Sequence, residues 1–233
     1  MGDQPPQRVR RLRTFQIGQP GQLRNSADQP LLDLASNDTL GLLGHPELNA
    51  AAQAAIASSG VGSGASRLIS GSRPEHAELE QGLAQWLGRS RVLLFPSGFQ
   101  ANIAALQLLA DRHTLVLADR RIHHSLLVGV RACGAKLERF AHNDLEDLER
   151  RLQKRKGSRC VVLSESLFSM EGSSPDVGAL AALCQRHGAP LLLDEAHALG
   201  VLGPGGRGLG HGLDGVSLLC GTFGKAFASG GAF

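Results

Sequence analysis

Apolar and polar residues alternate along the chain in blocks of two kinds. Short runs rich in Leu and Val, such as LLLD at 191–194, alternate with longer stretches in which apolar residues recur every three or four positions. The short runs predict strands buried on both faces, and the longer stretches predict amphipathic helices. Because strands that alternate with helices are typical of a parallel sheet with helices on both faces, we predict an α/β fold.

The same pattern places the individual elements. Strands are expected at 31–35, 91–95, 115–118, 136–140, 160–164, 191–194 and 216–220. Helices are expected at 46–58, 74–87, 98–110, 144–154 and 176–187. Two stretches crowded with glycine, 58–73 and 200–215, interrupt the pattern. We interpret them as functional loops rather than linkers between domains.

Composition narrows the class of protein. With 233 residues, 42% hydrophobic and 19% charged, the chain predicts one globular domain, with or without an appendage, and its net charge of +3 is mild. The basic run RVRRLR at 8–13 is interpreted as a solvated helix face, with contact to an anionic ligand as the alternative.

Four scattered cysteines without a CxxC pair favour reduced thiols and no metal site. Without a secretory signal or membrane span, we expect a cytoplasmic protein with no nucleic-acid or membrane partner.

The sequence DEAH at 194–197 follows the apolar run at 191–193. In nucleotide-hydrolysing helicases such acids serve magnesium, but those enzymes also need GxxxxGK[ST], which this chain lacks. The alternative is that Asp194, at the carboxyl end of a buried strand, faces the crevice where open α/β sheets bind ligands. A carboxylate in that place can keep a pyridine nitrogen protonated, which is what pyridoxal phosphate requires to act as an electron sink.

Three further features fit that cofactor. Lys225 follows the next strand among small and apolar residues, where desolvation would make its amine nucleophilic. In PSGF at 96–99 the amides of Gly98 and Phe99 would point outward at a helix start and favour a phosphate, although a simple tight turn would also use Gly98. One of the adjacent histidines, His123 or His124, could stack on the ring, although either could be an ordinary surface histidine.

Seven segments taken together resemble the α-oxoamine synthases, pyridoxal-phosphate enzymes of the aspartate-aminotransferase fold (fold type I). These are SNDTLGL at 36–42, GSGASRLISGSRPEHAELE at 62–80, PSGFQAN at 96–102, DRRIHHSLL at 119–127, ESLFSMEG at 165–172, DEAHALG at 194–200 and TFGKAF at 222–227. The resemblance is greatest to the member of the family that acts in biotin biosynthesis. It implies an N-terminal arm with the first strand at 1–45 and a cofactor-binding large domain at 46–233.

The resemblance also implies a role for each matching residue. Lys225 would bond to the cofactor aldehyde and move the Cα proton, Asp194 would pair with the ring nitrogen, and His123 would stack on the ring. His197 and Ser169 would bond around the ring oxygen, while Gly98, Phe99 and Thr222 would add cofactor contacts. The residues that would position the substrate are Arg11, Asn37 and Glu165, together with His123.

The implied reaction is decarboxylative condensation of L-alanine with a pimeloyl thioester, of coenzyme A or an acyl carrier protein, in a homodimer. A sister synthase of the 2-amino-3-ketobutyrate, 5-aminolevulinate or serine palmitoyltransferase type would use glycine or serine instead. A binding module that retains the fold without catalysis is the alternative from another class. The loop at 60–73 is our candidate for reaching a partner subunit.

Two departures from the family pattern bear on activity. Thr39 stands where these enzymes often have tyrosine, and the chain contains no tyrosine. Family members also continue beyond the lysine into a C-terminal small domain that carries an arginine for the substrate carboxylate. We therefore expect a fragment without this domain, with weak or no turnover even if the cofactor binds. A discontinuous assay for amino ketone formed by residues 1–233 tests this, and measurable product would contradict it.

Overall fold

A computed structural model describes residues 11–19, 21–155 and 157–233, and the chain divides into two compact units, residues 1–37 and 38–233. The first unit contains a small antiparallel sheet of β1 (Gln16–Ile17), β2 (Gln22–Arg24) and β3 (Pro30–Leu32). Asn25 organises the turn between β2 and β3, because its Oδ1 accepts hydrogen bonds from the N–H groups of Ala27 and Gln29. Residues 11–15 have no regular structure, so the helix expected over 8–13 is wrong for 11–13, and 8–10 lie outside the described residues.

The second unit contains the predicted α/β arrangement. Its sheet is parallel throughout, in the order β5-β4-β6-β7-β8, and is built from β4 (Leu115–Asp119), β5 (Lys136–Phe140), β6 (Cys160–Glu165), β7 (Leu191–Asp194) and β8 (Val216–Cys220). The helices are α1 (Pro46–Ser59), α2 (Pro74–Leu87), α3 (Gly98–Leu109), α4 (His124–Cys133), α5 (Leu145–Lys154) and α6 (Val177–Arg186). The α/β prediction is confirmed.

The two faces of the sheet hold two separate apolar clusters. On one face Leu117, Val162 and Leu193 pack with residues of α5 and α6. Their neighbours along the strands point the other way and pack against α3 and α4. Leu106 of α3 and Leu126 of α4 belong to this second cluster. Because side chains alternate across a strand, a run such as Leu191–Leu193 supplies both clusters and must be apolar throughout. Covering both faces leaves the carboxyl ends of the strands as the open side.

The chain reverses its direction of progress through the sheet at one place. It passes from β4 outward to β5 and then returns to the other side of β4 to form β6. The connections after β4 and β6 therefore leave in opposite directions and open a crevice at the carboxyl ends of these strands.

The second glycine-rich stretch, 200–215, packs around the second acid of DEAH. Glu195 is fully buried and accepts hydrogen bonds from Ser166 Oγ at 2.5 Å and from the N–H groups of Leu209 and Gly210. A Cβ at Gly208 or Gly210 would lie within 3.0 Å of the Glu195 carboxylate. Glycine is needed at these positions because the loop backbone lies directly against the carboxylate. The Glu195 carboxylate therefore stabilises this loop through its hydrogen bonds.

Most of the predicted strands are present with nearly the expected bounds, but three expectations differ. The segment 91–95 is not a strand, because among the described residues only Phe95 of this segment forms a β-bridge, an isolated one to Ala232. Strands β1 and β2 were not predicted, since each is very short. Helix α4 was also not predicted, because it is short and contains Gly129, a poor helix former.

Gly129 is required by the close crossing of α3 and α4. A Cβ at this position would lie 2.7 Å from Leu106 Cδ1 and 3.3 Å from the Cα of Ile103. This crossing sets the distance between α3, whose amino-terminal half lines the crevice, and α4, which is capped by the crevice residue His123. Within the described residues no helix is long and apolar enough to cross a membrane.

We expect Gly129→Ala to destabilise the fold by about 1–3 kcal/mol, because the added methyl overpacks the α3–α4 crossing. Gly82→Ala is the matched control, since a Cβ at this position in α2 meets nothing within 4 Å. The control should be neutral or stabilise by up to about 1 kcal/mol, as alanine favours a helix over glycine. Urea unfolding midpoints measure both, and equal effects of the two substitutions would contradict the close packing.

Candidate active site

The carboxyl ends of β4, β6, β7 and β8 open into a cleft of about 190 Å³. Its lining residues come from the last positions of these strands, from the turns after them and from the amino-terminal half of α3. The cleft is lined by Gly98, Phe99, Asn102, His123, Glu165, Asp194, Ala196, His197, Cys220, Gly221, Thr222 and Lys225. Residues widely separated in sequence meet here because all four parallel strands end at the same edge of the sheet.

Asp194 is the last residue of β7 and is only 5% exposed. Its Oδ2 accepts a hydrogen bond of 2.7 Å from Asn102 Nδ2, and its Oδ1 accepts one of 2.9 Å from the N–H of Ala196. Each carboxylate oxygen has capacity for a second hydrogen bond. The carboxylate is therefore held in a fixed orientation and can still accept a proton donor from a ligand in the cleft.

Lys225 and His197 lie next to each other on the far side of the cleft. Lys225 Nζ is 2.7 Å from His197 Nε2, and this contact, rather than an ion pair with any described carboxylate, is what holds the amine. Burial lowers the pKa of Lys225, although Asp194 and Glu165 oppose this change. Burial, reinforced by the charge of Lys225, lowers the pKa of His197 to about 4. The imidazole is thus neutral at pH 7, and its Nε2 can accept a hydrogen bond from the amine.

His123 and Glu165 form the side of the cleft near β4 and β6. The N–H of His123 donates to Glu165 Oε1 at 2.6 Å, and His123 Nδ1 lies 2.7 Å from Ser125 Oγ. Burial, with the neighbouring charge of Asp194, raises the pKa of Glu165 to about 8. His124, the other member of the histidine pair, is exposed in α4 and does not line the cleft.

Helix α3 begins at the opposite end of the cleft. Ser97 caps it by accepting a hydrogen bond from the N–H of Gln100. Within the described part of the chain, the N–H groups of Gly98 and Phe99 have no partner in the protein, so they are free to bind an anion. Thr222 lies beside Gly98, where its hydroxyl donates to the carbonyl of Gly231 and accepts from the N–H of Gly224.

The other three predicted site residues are all exposed. Ser169 is exposed in the turn after β6 and does not line the cleft. Arg11 and Asn37 are exposed residues of the N-terminal unit. The roles of these three residues stay predictions.

The structure adds lining residues that the sequence analysis missed. The most informative is Asn102, a buried amide on α3, whose neighbours Ala101 and Ile103 are apolar. A polar residue within the apolar face of a helix was the available signal for it. The backbone at Ala196 and Gly221 and the buried thiol of Cys220 had no comparable signal.

The comparisons with known proteins agree with this geometry. Residues 29–233 match the family model described as aminotransferase class I and II. The chain is 48% identical over 208 residues to an 8-amino-7-oxononanoate synthase from Chromohalobacter salexigens, covering 88% of this chain and 54% of the relative. The chain therefore spans about half the length of the curated relatives it matches.

Solved structures of α-oxoamine synthases share the fold. A serine palmitoyltransferase from S. paucimobilis, solved with a bound PLP–myriocin aldimine, matches with a TM-score of 0.89 at 30% identity, covering 94% of this chain and 56% of that one. An 8-amino-7-oxononanoate synthase from Francisella tularensis matches with a TM-score of 0.73 at 30% identity, covering 86% and 56%.

The raised pKa of Glu165 predicts how stability depends on pH. Between about 4.5 and about 8 the folded protein keeps a proton that the unfolded chain releases. The contribution of the Glu165 proton to the free energy of unfolding is therefore complete below pH 4.5 and is lost as the pH rises toward 8. Glu165→Gln has no proton to lose, so from pH 5 to pH 8 it should gain on the order of 2–4 kcal/mol relative to the parent.

Urea unfolding of parent and variant at both pH values measures the effect. Glu78→Gln removes an exposed carboxylate on α2 and serves as the control for loss of charge. A difference between parent and Glu165→Gln that is the same at pH 5 and pH 8 would contradict the raised pKa.

Proposed function

Since the chain belongs to the aminotransferase class I and II family, we propose that it binds pyridoxal 5'-phosphate in the cleft above Asp194. We further propose that it serves the decarboxylative condensation of L-alanine with a pimeloyl thioester to 8-amino-7-oxononanoate in biotin biosynthesis. The observation that carries the proposal is that Asp194 and Lys225, separate in sequence, face the same cleft, between a neutral imidazole and a free helix N-terminus.

The residues present fit this cofactor. A fixed carboxylate suits a protonated ring nitrogen, and the free N–H groups of Gly98 and Phe99 suit a phosphate. The Lys225 amine, which burial makes easier to deprotonate, suits an aldehyde. Asn102 Oδ1 is buried without a hydrogen-bond partner in the described part of the chain, as expected of a site shaped for a polar ligand.

The cofactor, when bound, supplies an electron sink for negative charge at the substrate Cα. Asp194 would keep the ring nitrogen protonated, because its carboxylate is buried and oriented by two donors. His197 would hold the Lys225 amine in place by accepting a hydrogen bond from it. Lys225 would then move the proton at the substrate Cα, and His123 would cover the exposed face of the ring and exclude water. Glu165, whose pKa is about 8, would present a protonated carboxyl that can donate to a substrate carboxylate.

The substrate assignment is supported by the names of the relatives. The 48% identity is to an 8-amino-7-oxononanoate synthase, whereas the serine palmitoyltransferase of higher TM-score is 30% identical. A synthase of the serine palmitoyltransferase type is therefore the second candidate. We also propose that residues 46–233 form the cofactor-binding large domain and that the enzyme acts as a homodimer in the cytoplasm.

Reduction with borohydride tests the cofactor site. After incubation with pyridoxal phosphate, we expect borohydride to fix one pyridoxyl group on Lys225, located by peptide mass spectrometry. Lys225→Ala should lose the label. Lys154→Ala, which removes an exposed lysine on α5, should retain it. Labelling spread over surface lysines, with no loss in Lys225→Ala, would overturn the proposal.

The choice of amino acid is tested by binding, which does not require acyl transfer. L-Alanine, glycine and L-serine are titrated into the pyridoxal-phosphate complex, and the visible absorbance of the cofactor reports binding. We expect L-alanine to bind about 10–200-fold more tightly than glycine, as one methyl group in an apolar pocket allows. Tighter binding of L-serine or glycine would move the assignment to a sister synthase.

A further inference from the structure

A chain of hydrogen bonds, buried at Asp194 and part-buried at His123, joins these two residues across the floor of the cleft. Asn102 Nδ2 donates one hydrogen to Asp194 Oδ2 at 2.7 Å and the other to Ser125 Oγ at 3.0 Å. Ser125 Oγ in turn lies 2.7 Å from His123 Nδ1. Asn102 is 3% exposed and Ser125 is 0% exposed, so water does not compete for the two hydrogen bonds that the Asn102 amide donates.

The chemistry of Asn102 determines the direction of the chain. Turning the amide over would place its oxygen against a carboxylate oxygen of Asp194, and two acceptors repel each other. The amide nitrogen therefore faces Asp194, and both of its hydrogens are used. Ser125 Oγ accepts one of them, which leaves the hydroxyl hydrogen free to donate to His123 Nδ1.

The backbone supports the same assignment at His123. This residue caps α4, and its Nδ1 accepts a hydrogen bond from the N–H of Ser125 at 3.3 Å. Two donors thus point at Nδ1, and a hydrogen on this nitrogen would oppose both. The ring proton is then on Nε2, the nitrogen that Ser125 leaves free.

We propose that Asn102 is a positioning residue that, together with Ser125, couples the orientation of the Asp194 carboxylate to the tautomer and ring plane of His123. The inference rests on the proposed function, because it concerns the two groups that would hold the cofactor ring. The contact of Asp194 with a flat cationic ring and the contact of His123 with the same ring would then both be set by the Asn102 amide. Loss of Asn102 affects both, whereas loss of Ser125 affects His123 alone.

The first experiment measures the tautomer in the protein without cofactor. Two-bond ¹H–¹⁵N spectra of protein labelled at histidine show which ring nitrogen carries the proton, and a His123→Gln variant assigns the signal. We expect the proton on Nε2 in the parent and a mixture of tautomers in Ser125→Ala. Identical His123 signals in parent and Ser125→Ala would overturn the coupling whether or not the cofactor binds.

The second experiment measures the affinity for pyridoxal phosphate by absorbance. Asn102→Ala should bind about 10–100-fold more weakly, as expected for loss of a hydrogen bond to a buried carboxylate. Ser125→Ala should remain within about threefold of the parent because it keeps the bond from Asn102 to Asp194. Gln100→Ala, an exposed amide on the same helix, is the control and should match the parent.

A second variant separates the hydrogen bonds from packing. Asn102→Leu keeps nearly the same side-chain shape but has no hydrogen-bond donor, so it should also lose affinity at least tenfold. Thermal melting shows whether each variant folds. If the parent binds no pyridoxal phosphate, the proposed function fails and the inference fails with it. If the parent binds and both Asn102 variants match the Gln100→Ala control, only the inference fails.

Discussion

The cleft depends on one buried carboxylate. Asp194 lies at the end of a strand with apolar neighbours on both faces, where an unpaired charge would be costly. The structure meets this cost with two donors inside the protein, the Asn102 amide and the N–H of Ala196, and with the positive charge of Lys225 nearby. Because those donors are rigid, the carboxylate has a fixed direction before any ligand arrives.

The helices and strands around the cleft serve this arrangement. Helix α3 supplies both ends of it, since Gly98 and Phe99 lie at its amino terminus and Asn102 lies one turn further on. Helix α4 is capped by His123 and packs against α3 through Gly129. A change in the spacing of α3 and α4 would therefore move both His123, which caps α4, and Asn102 of α3. The crevice that these groups face opens where the chain reverses its direction of progress through the sheet, between β4 and β6.

The neighbouring titratable groups are shifted in ways that complement one another. Burial raises the pKa of Glu165 and lowers that of His197 and of Lys225, so each group is moved toward its neutral form. Shifts of this kind in one cleft are typical of sites that transfer protons. Glu195, next to Asp194 in sequence, is equally buried, but its hydrogen bonds fold the loop at 207–211. Two adjacent acids thus have different functions, which only their surroundings distinguish.

The sequence by itself determined the class of fold, the positions of the buried strands and most of the polar residues at their ends. It could do so because strands buried on both faces must be apolar throughout, and a charged residue at the end of such a run stands out, as Asp194 does. Only the tertiary structure decided that Glu195 turns into a loop and that Asn102 joins Asp194 to Ser125. Those outcomes depend on the direction of individual side chains and on contacts between residues far apart in the chain. Helix α4 belongs with them, because its stability comes from packing against α3 rather than from its own sequence.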